Sequence, residues 1–232
     1  MSRPALPIGE CFSRAACVTV LQPVMAARAF WPLICAEIAT LLLTDSEWRV
    51  APMLASLLLV IPCACAWHRY LIEGQTPRLS LGLPEWKYMK RALVITLVIT
   101  VITVPFAVAF VLLRNYSMLV GWTMLVLGLA TSIWATGPGM LSLSAAALNR
   151  DLNRSGVSNL VAGNKGRLFA LLFGVSVSEV ALSLGTDSLG AAGPALRLVV
   201  SVIFWPLAVA VLSMAYVWLT TGSTSVTTDA QA

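Results

Sequence analysis

Residues 92–113 read ALVITLVITVITVPFAVAFVLL, an uninterrupted apolar stretch of 22 residues that carries no charged side chain. A helix needs about 20 apolar residues to cross the hydrocarbon core of a bilayer. The stretch lacks the alternation of polar and apolar residues that is typical of a membrane β-barrel strand. Because lipid offers the backbone no hydrogen-bond partners, the segment predicts a transmembrane helix.

The composition of the whole chain agrees with this prediction. Hydrophobic residues make up 59% of the 232 residues and charged residues 11%, and the mean hydropathy is +0.87. Soluble domains carry about 25% charged residues, so this chain has too few polar side chains to cover a surface in water. Its length suits one compact bundle without a second, soluble domain.

Five further apolar segments have lengths close to the thickness of a bilayer. Together with the first they predict an all-α membrane protein, built as a bundle of six transmembrane helices. The predicted spans are residues 27–44, 50–66, 92–113, 118–136, 168–184 and 195–220. Residues 140–149 follow Gly137-Pro138-Gly139, and we expect them to form a separate interfacial or re-entrant helix.

Basic residues fall mainly on one side of the predicted membrane. Twelve Lys and Arg residues lie on one side, and Arg49, Arg114 and Arg197 lie on the other. The positive-inside rule therefore predicts that both termini are cytoplasmic. Residues 1–26 would form an amphipathic cytoplasmic arm, residues 221–232 a polar cytoplasmic tail, and interfacial amphipathic helices would lie on the cytoplasmic side.

This distribution of charge also bears on the partners of the protein. The net charge is +5 at neutral pH, and a basic face of this kind attracts anionic lipid headgroups. Membrane lipid is the expected partner, with another membrane protein complex as a further candidate. Nucleic acid is not expected, because no basic loop is longer or more regular than a membrane protein needs.

Aromatic and basic side chains cluster where span two ends and span three begins. Span two ends in Trp67-His68-Arg69-Tyr70, which we call the WHRY segment. Aromatic rings with a polar edge favour the level of the headgroups, and Arg and Lys reach that level with their charged ends. The predicted interface anchors are Trp67, His68, Arg69, Tyr70, Trp86, Tyr88, Lys90 and Arg91.

The residues before span three, LPEWKYMKR (83–91), also have the signals of a helix start. Pro84 suits the first position of a helix because its missing N–H would have no partner there. Glu85 follows where the helix dipole is positive. The helix is therefore expected to begin near residue 84, at the membrane surface.

These segments resemble a widespread group of uncharacterised bacterial inner-membrane proteins with six spans. In that group the second span ends in Trp-His-Arg-(Tyr/Phe), followed by a leucine, a Gly-Glu pair and a basic amphipathic loop. The matching residues are Trp67, His68, Arg69, Tyr70, Leu71 and Gly74. This chain has Gln75 where the group has an acid, and its Glu73 is displaced.

The segments GPGMLSLSAAALNR (137–150) and GNKGRLFALL (163–172) also look like the second half of that group. The resemblance spans the middle of the chain. It implies a six-helix bundle in a bacterial inner membrane, and it implies no activity.

A metal site is one alternative at the end of span two. Cys63, Cys65 and His68 form C-x-C-x2-H, and thiolates with an imidazole can hold Cu(I) or Zn. On a helix, Cys65 and His68 share a face, whereas Cys63 is turned about 200° from Cys65. No second cluster supplies a fourth ligand, so packing is favoured, and we predict neither a metal nor a cofactor.

Two carboxylates lie within the predicted spans at similar depth. Glu37 is in span one and Glu179 is in span five. A charge at such a depth costs about 2.5–3.5 kcal/mol on insertion scales, so each group should face the interior, pair with a cation or stay protonated. Arg197 and Arg49 are the available cationic partners for interhelical ion pairs; the alternative is a proton or cation site.

Small residues at a spacing of four mark two candidate packing faces. Gly128 with Ser132 and Gly174 with Ser178 both fit the small-xxx-small pattern. Such residues let the backbones of two membrane helices approach closely.

No sequence motif of an enzyme is present, such as a phosphate-binding loop, a paired-His metal motif or a G-x-S-x-G elbow. We therefore predict a non-catalytic integral inner-membrane protein. It would be an accessory or scaffold subunit that contacts lipid or a membrane partner through its basic cytoplasmic face. The alternative is a small proton- or cation-coupled permease that uses Glu37 and Glu179.

Overall fold

In a computed structural model of the chain, the residues that the structure describes (5–43, 46, 48, 50–187 and 189–222) form helices and no strands. The helices are α1 (Ile8–Leu21), α2 (Pro23–Leu42), α3 (Val50–Glu73), α4 (Leu83–Leu113), α5 (Met118–Ala147), α6 (Arg154–Leu160), α7 (Lys165–Asp187) and α8 (Gly193–Thr221). A 3-10 turn, Gly190–Ala192, precedes α8.

Six of these helices are long and apolar enough to cross a membrane: α2, α3, α4, α5, α7 and α8. The prediction of an all-α bundle with six transmembrane helices is therefore confirmed. The protein is a multi-pass membrane protein. Helices α1 and α6, with 14 and 7 residues, are too short to span a bilayer.

Several helices extend beyond the apolar spans at one end of the bundle. Helix α3 continues past residue 66 to Glu73, and α4 begins at Leu83, nine residues before its charge-free stretch. Both extensions consist of the aromatic and basic segments described above. We call this end, where α3, α5 and α8 finish and α4 and α7 begin, the basic end.

The expected separate helix at residues 140–149 is not formed. Helix α5 runs unbroken through Pro138 to Ala147. A proline removes one backbone hydrogen bond, but membrane helices tolerate this loss because neighbouring groups satisfy the freed carbonyl. The Gly137-Pro138-Gly139 sequence is therefore a site inside a helix, and the re-entrant interpretation is corrected.

The buried core lies mainly in the half of the bundle at the basic end. Trp67 of α3, Leu141 of α5, Leu168 of α7 and Ala215 of α8 are all fully buried there. In α4, whose residues are all described, the buried side chains are those of Glu85 and Tyr88 in its first two turns. The rest of α4 has partly buried side chains where it packs on α5 and exposed apolar side chains elsewhere.

The described part of the N-terminal arm is docked on the bundle. Helix α1 packs against α8 and α7, with Cys11 and Ala15 buried one turn apart. The buried Leu6 donates its N–H to Asn164 Oδ1 at 2.7 Å, and its carbonyl accepts a hydrogen bond from Arg167 Nη1 at 3.1 Å. These contacts tie residues near the N-terminus to the start of α7.

Helices α4 and α5 form the most intimate pair in the bundle. A Cβ added at Gly128 would lie 2.7 Å from the Phe106 Cβ, and Thr103 Oγ1 lies 2.9 Å from Ser132 Oγ. The Gly128–Ser132 packing face is therefore confirmed. The face predicted at Gly174 is wrong, since a Cβ there would meet no atom within 4 Å.

Candidate functional site

Trp67 is buried in the bundle, where it joins three helices. Its indole Nε1–H donates to the carbonyl of Pro206 in α8 at 3.0 Å. The ring stacks on Tyr70 with centroids 5.2 Å apart, and it meets Phe30 of α2 edge-on at 6.3 Å. A buried indole needs such a partner for its N–H, and here the partner connects α3 to α8.

His68 is also fully buried, and it faces α8. Its Nδ1 lies 2.7 Å from Ser213 Oγ, which in turn lies 2.9 Å from the carbonyl of Val209. A serine hydroxyl has one proton. When Ser213 donates that proton to Val209, His68 must donate from Nδ1, and Nε2 is left as an acceptor. Nε2 has no hydrogen-bond partner among the described residues.

Arg69 connects the end of one helix to the beginning of another. Its Nε donates to the carbonyl of Ala147, the last residue of α5, at 2.9 Å. Its Nη2 forms an ion pair with Glu85 in the first turn of α4. Glu85 also accepts from Ser80 Oγ at 2.7 Å and from the N–H of Gly82 at 2.9 Å.

The signs of these charges match the helix ends that they contact. A cation stabilises the carbonyl end of α5, and a carboxylate stabilises the N–H end of α4. The expected placement of Glu85 near the positive end of α4 is confirmed, while its ion pair with Arg69 was not foreseen. The sequence offered two signals for this ion pair: a basic residue near the end of span two and an acid at the start of a helix.

The structure corrects part of the interface-anchor prediction. Side chains that are covered by protein cannot contact headgroups, and this applies to Trp67, His68, Tyr70 and Tyr88. Trp86 is 52% exposed, and Lys90 Nζ lies 5.1 Å from the centroid of its ring. This pair is exposed, as an interface anchor has to be.

The reason for the correction is that lipid and protein interior are both apolar. The pattern of α3 therefore shows that the helix is embedded, without showing which face meets protein. His68 illustrates this point: it packs against Tyr88 of α4 with ring centroids 5.8 Å apart.

Glu37 and Glu179 are both partly buried, on α2 and α7. The main packing partners of α2 are α3 and α8, and those of α7 are α8 and α5. Within the described part of the chain, the ion pairs involve neither glutamate. Arg197 is exposed on α8, and Arg49 lies outside the described residues.

A groove of about 620 Å³ opens at the basic end between α4, α5, α6 and the start of α7. We call it the α4–α7 groove. Three of the residues that line it are cationic, and most of the others are apolar. The lining residues are Lys90, Arg91, Val94, Ile95, Ala135, Pro138, Gly139, Ser142, Leu152, Val157, Ser158, Val161 and Lys165.

The cations of this groove are held in defined positions. Arg91 Nη1 donates to the carbonyl of Ser142 at 2.7 Å, and its Nη2 lies 3.8 Å from Asp151. Lys165 Nζ lies 4.6 Å from the centroid of the Trp134 ring. The sequence pointed to Arg91 and Lys90 as anchors, but not to a groove, because its walls come from four separate segments.

The described residues contain no group of three His, Cys, Asp or Glu side chains placed to hold a metal ion. Cys63 and Cys65 are both fully buried in the core, and His68 is bonded to Ser213. Packing thus accounts for the positions of these three side chains.

Comparisons with known proteins add no family to this picture. No family model matches the sequence, and no curated protein or solved structure matches the chain. The resemblance of the WHRY segment to the bacterial six-span group stays a prediction.

Proposed function

We propose that this chain is a non-catalytic accessory or scaffold subunit of a bacterial inner membrane, with both termini cytoplasmic. Its basic end would contact anionic headgroups or a membrane partner. The observation that supports this proposal is that the WHRY segment holds helices of the bundle together. Trp67, His68 and Arg69, which carry the most distinctive chemistry, each bond to another helix of the bundle.

Exposed cations around these buried contacts support the same proposal. Seven of the described basic residues on this side have exposed side chains: Arg14, Arg28, Arg78, Lys90, Arg150, Lys165 and Arg167. Each Lys or Arg near an anionic membrane surface contributes about 1 kcal/mol of attraction. The side chains that hold the bundle together are thus distinct from most of those available to a partner.

The orientation follows from the same charges. Twelve Lys and Arg residues on one side against three on the other favour a cytoplasmic basic end. The resemblance to six-span bacterial proteins favours the inner membrane.

Native purification tests the proposal directly. The full chain is extracted under mild conditions, and the lipids and proteins that accompany it are identified by mass spectrometry. We expect anionic phospholipid above its proportion in the membrane, or a stoichiometric membrane partner. Arg114→Gln is the control: it removes one charge from the opposite end, so it should co-purify with the same lipids and proteins as the wild-type chain. A protein that runs alone, without enriched anionic lipid, would refute the proposal.

A small permease is the second candidate. It is favoured by one observation: among the described residues, the ion pairs leave out both Glu37 and Glu179. Arg49, one of the two expected partners, lies outside those residues. If Glu37 carries protons, Glu37→Gln should abolish proton-coupled uptake in vesicles. Equal flux for wild type and Glu37→Gln under every tested gradient would exclude this candidate.

A further inference from the structure

The α4–α7 groove has two levels, and α4 supplies both. Lys90 and Arg91 are followed one turn later by Val94 and Ile95, so each pair lies on the same face of the helix. The first level is cationic and the second is apolar. This order follows the course of α4 from the basic end into the charge-free span.

Helix α5 repeats the two levels in the opposite direction. The hydrogen bond between Arg91 and the carbonyl of Ser142 sets Ser142 at the cationic level. Ala135 lines the groove seven residues earlier, which on a helix corresponds to about 10 Å. Pro138 and Gly139 lie between them. The groove thus runs from charged side chains to an apolar floor about two turns away.

The opposite wall completes the same pattern. Leu152, Val157 and Val161 present apolar side chains, and Lys165 begins α7 beside them. Asp151 forms an ion pair with Lys87 at 3.1 Å and lies 3.8 Å from Arg91. Among the ion pairs of the described residues, none involves Lys90 or Lys165, so the groove keeps a net positive charge.

We propose that the α4–α7 groove binds one anionic glycerophospholipid. Its phosphate lies against Lys90 and Arg91, Lys165 adds positive charge from the opposite wall, and one acyl chain lies along Val94, Ile95 and Ala135. The inference rests on the proposed function and names the lipid site within the basic face. Charge complementarity selects the anion, and the apolar floor selects an attached acyl chain over a free phosphate.

The size and position of the groove suit this occupant. Its volume of about 620 Å³ lies in the range of ligand sites, about 300–1,000 Å³. Trp86 and Trp134, 52% and 46% exposed, carry Lys90 and Lys165 against their rings. Exposed tryptophans favour the headgroup level of a bilayer, so Trp86 in the first turn of α4 places Lys90 where lipid phosphates lie. Trp134 adjoins Ala135, so it draws Lys165 toward the apolar floor.

The test uses the full chain in nanodiscs of phosphatidylcholine with a small fraction of phosphatidylglycerol that carries a photoreactive acyl chain. Crosslinked peptides are mapped, and retained phosphatidylglycerol is counted by native mass spectrometry. In wild type we expect crosslinks on α4 and α5 within the groove. The double variant Lys90→Gln/Lys165→Gln should retain roughly tenfold less phosphatidylglycerol, since it removes two of the three cations that line the groove.

Two further variants separate the site from the basic face as a whole. Ala135→Phe fills the apolar floor from an exposed position and should also reduce crosslinking, with all cations intact. Arg78→Gln/Arg150→Gln removes the same charge from exposed positions outside the groove and should leave the crosslinks unchanged. Thermal unfolding checks that each variant is folded. If either the charge variant or the floor variant does not fold, the other one alone is sufficient to test the groove site.

The outcomes distinguish the site from the proposed function. Equal loss in the groove variant and the control variant would support a diffuse basic face and overturn the groove site. No preference of wild type for phosphatidylglycerol would overturn both the site and the lipid-contacting function. Full displacement of the lipid by glycerol phosphate or inorganic phosphate would also overturn the site, because the acyl chain would then contribute nothing.

Discussion

Arg69 and Glu85 form an ion pair, with the carboxylate buried and the guanidinium partly buried, that joins α3 to the first turn of α4 across the loop between them. The Glu85 side chain is 4% exposed and the Arg69 side chain is 17% exposed. Arg69 also bonds the last carbonyl of α5. One guanidinium therefore fixes the relative positions of three helices at the basic end.

Removal of one partner of this pair should strongly destabilise the protein. Arg69→Met leaves the Glu85 carboxylate buried without its cation, and breaking a buried pair in this way costs about 3–5 kcal/mol. The measurement is the free energy of unfolding in detergent or bicelles. The double variant Arg69→Met/Glu85→Met should recover much of the loss, because no charge is then buried alone. A single variant as stable as wild type would contradict this account.

Trp67 should contribute to stability through both its ring and its N–H. Trp67→Phe keeps most of the aromatic contact with Tyr70 but loses the hydrogen bond to Pro206. The carbonyl of Pro206 then lacks this donor, and we expect a loss of about 1–3 kcal/mol. Trp67→Ala should cost more, about 3–5 kcal/mol. The comparison of the two unfolding free energies is the measurement; equal losses would mean that the hydrogen bond carries the whole effect.

Two glycines offer a matched test of helix packing. A Cβ at Gly128 would lie 2.7 Å from the Phe106 Cβ, whereas a Cβ at Gly174 would meet nothing within 4 Å. Gly128→Ala should therefore destabilise the bundle by about 1–3 kcal/mol, because α4 and α5 must move apart. Gly174→Ala should be neutral or slightly stabilising, because alanine is the better helix former. Thermal unfolding of the two variants, measured side by side, decides; the reverse order would contradict the packing of α4 on α5.

The cysteines of α1 should differ in reactivity. Cys11 is buried and Cys17 is exposed. Burial raises the pKa of the Cys11 thiol to about 11, and the nearby Glu10 adds to the shift. At pH 8 only about one thousandth of Cys11 is thiolate. Its labelling by a maleimide should therefore be slow and should rise as the pH approaches 11.

Two variants, one that keeps Cys11 and one that keeps Cys17, test the difference in labelling rate. The same variants test on which side of the membrane α1 lies. A membrane-impermeant maleimide should label Cys17 quickly in inverted vesicles and not in right-side-out vesicles, if α1 is cytoplasmic. Cys11 is the internal control for burial. Labelling of Cys17 from the opposite side would overturn the proposed topology, and equal labelling rates for the two thiols would overturn the docking of α1.

The sequence predicts the membrane helices well because their signal is local. The charge-free run at residues 92–113 and the length of the other spans are sufficient to find all six. The sequence is less informative about which face of a helix meets protein. Trp67 would have similar apolar surroundings in a protein interior and against lipid. The Gly128 packing face was visible in its spacing, but the same spacing at Gly174 was misleading.

The contacts that build the candidate site are long-range, and this explains why they were missed. Trp67 and Pro206 are 139 residues apart, and His68 and Ser213 are 145 apart. The α4–α7 groove likewise depends on the register of α4 against α5, which one hydrogen bond from Arg91 to Ser142 reveals. No local pattern encodes such a register.

The hydrogen bonds of Leu6 with Asn164 and Arg167 have a consequence for biosynthesis. Leu6 is translated early, but its partners Asn164 and Arg167 are translated only after most of the chain. Leu6 therefore lacks these two contacts while the four spans α2 to α5 are synthesised. Closure of the basic end is then one of the last steps of assembly, and a truncated chain that stops before residue 164 cannot complete it.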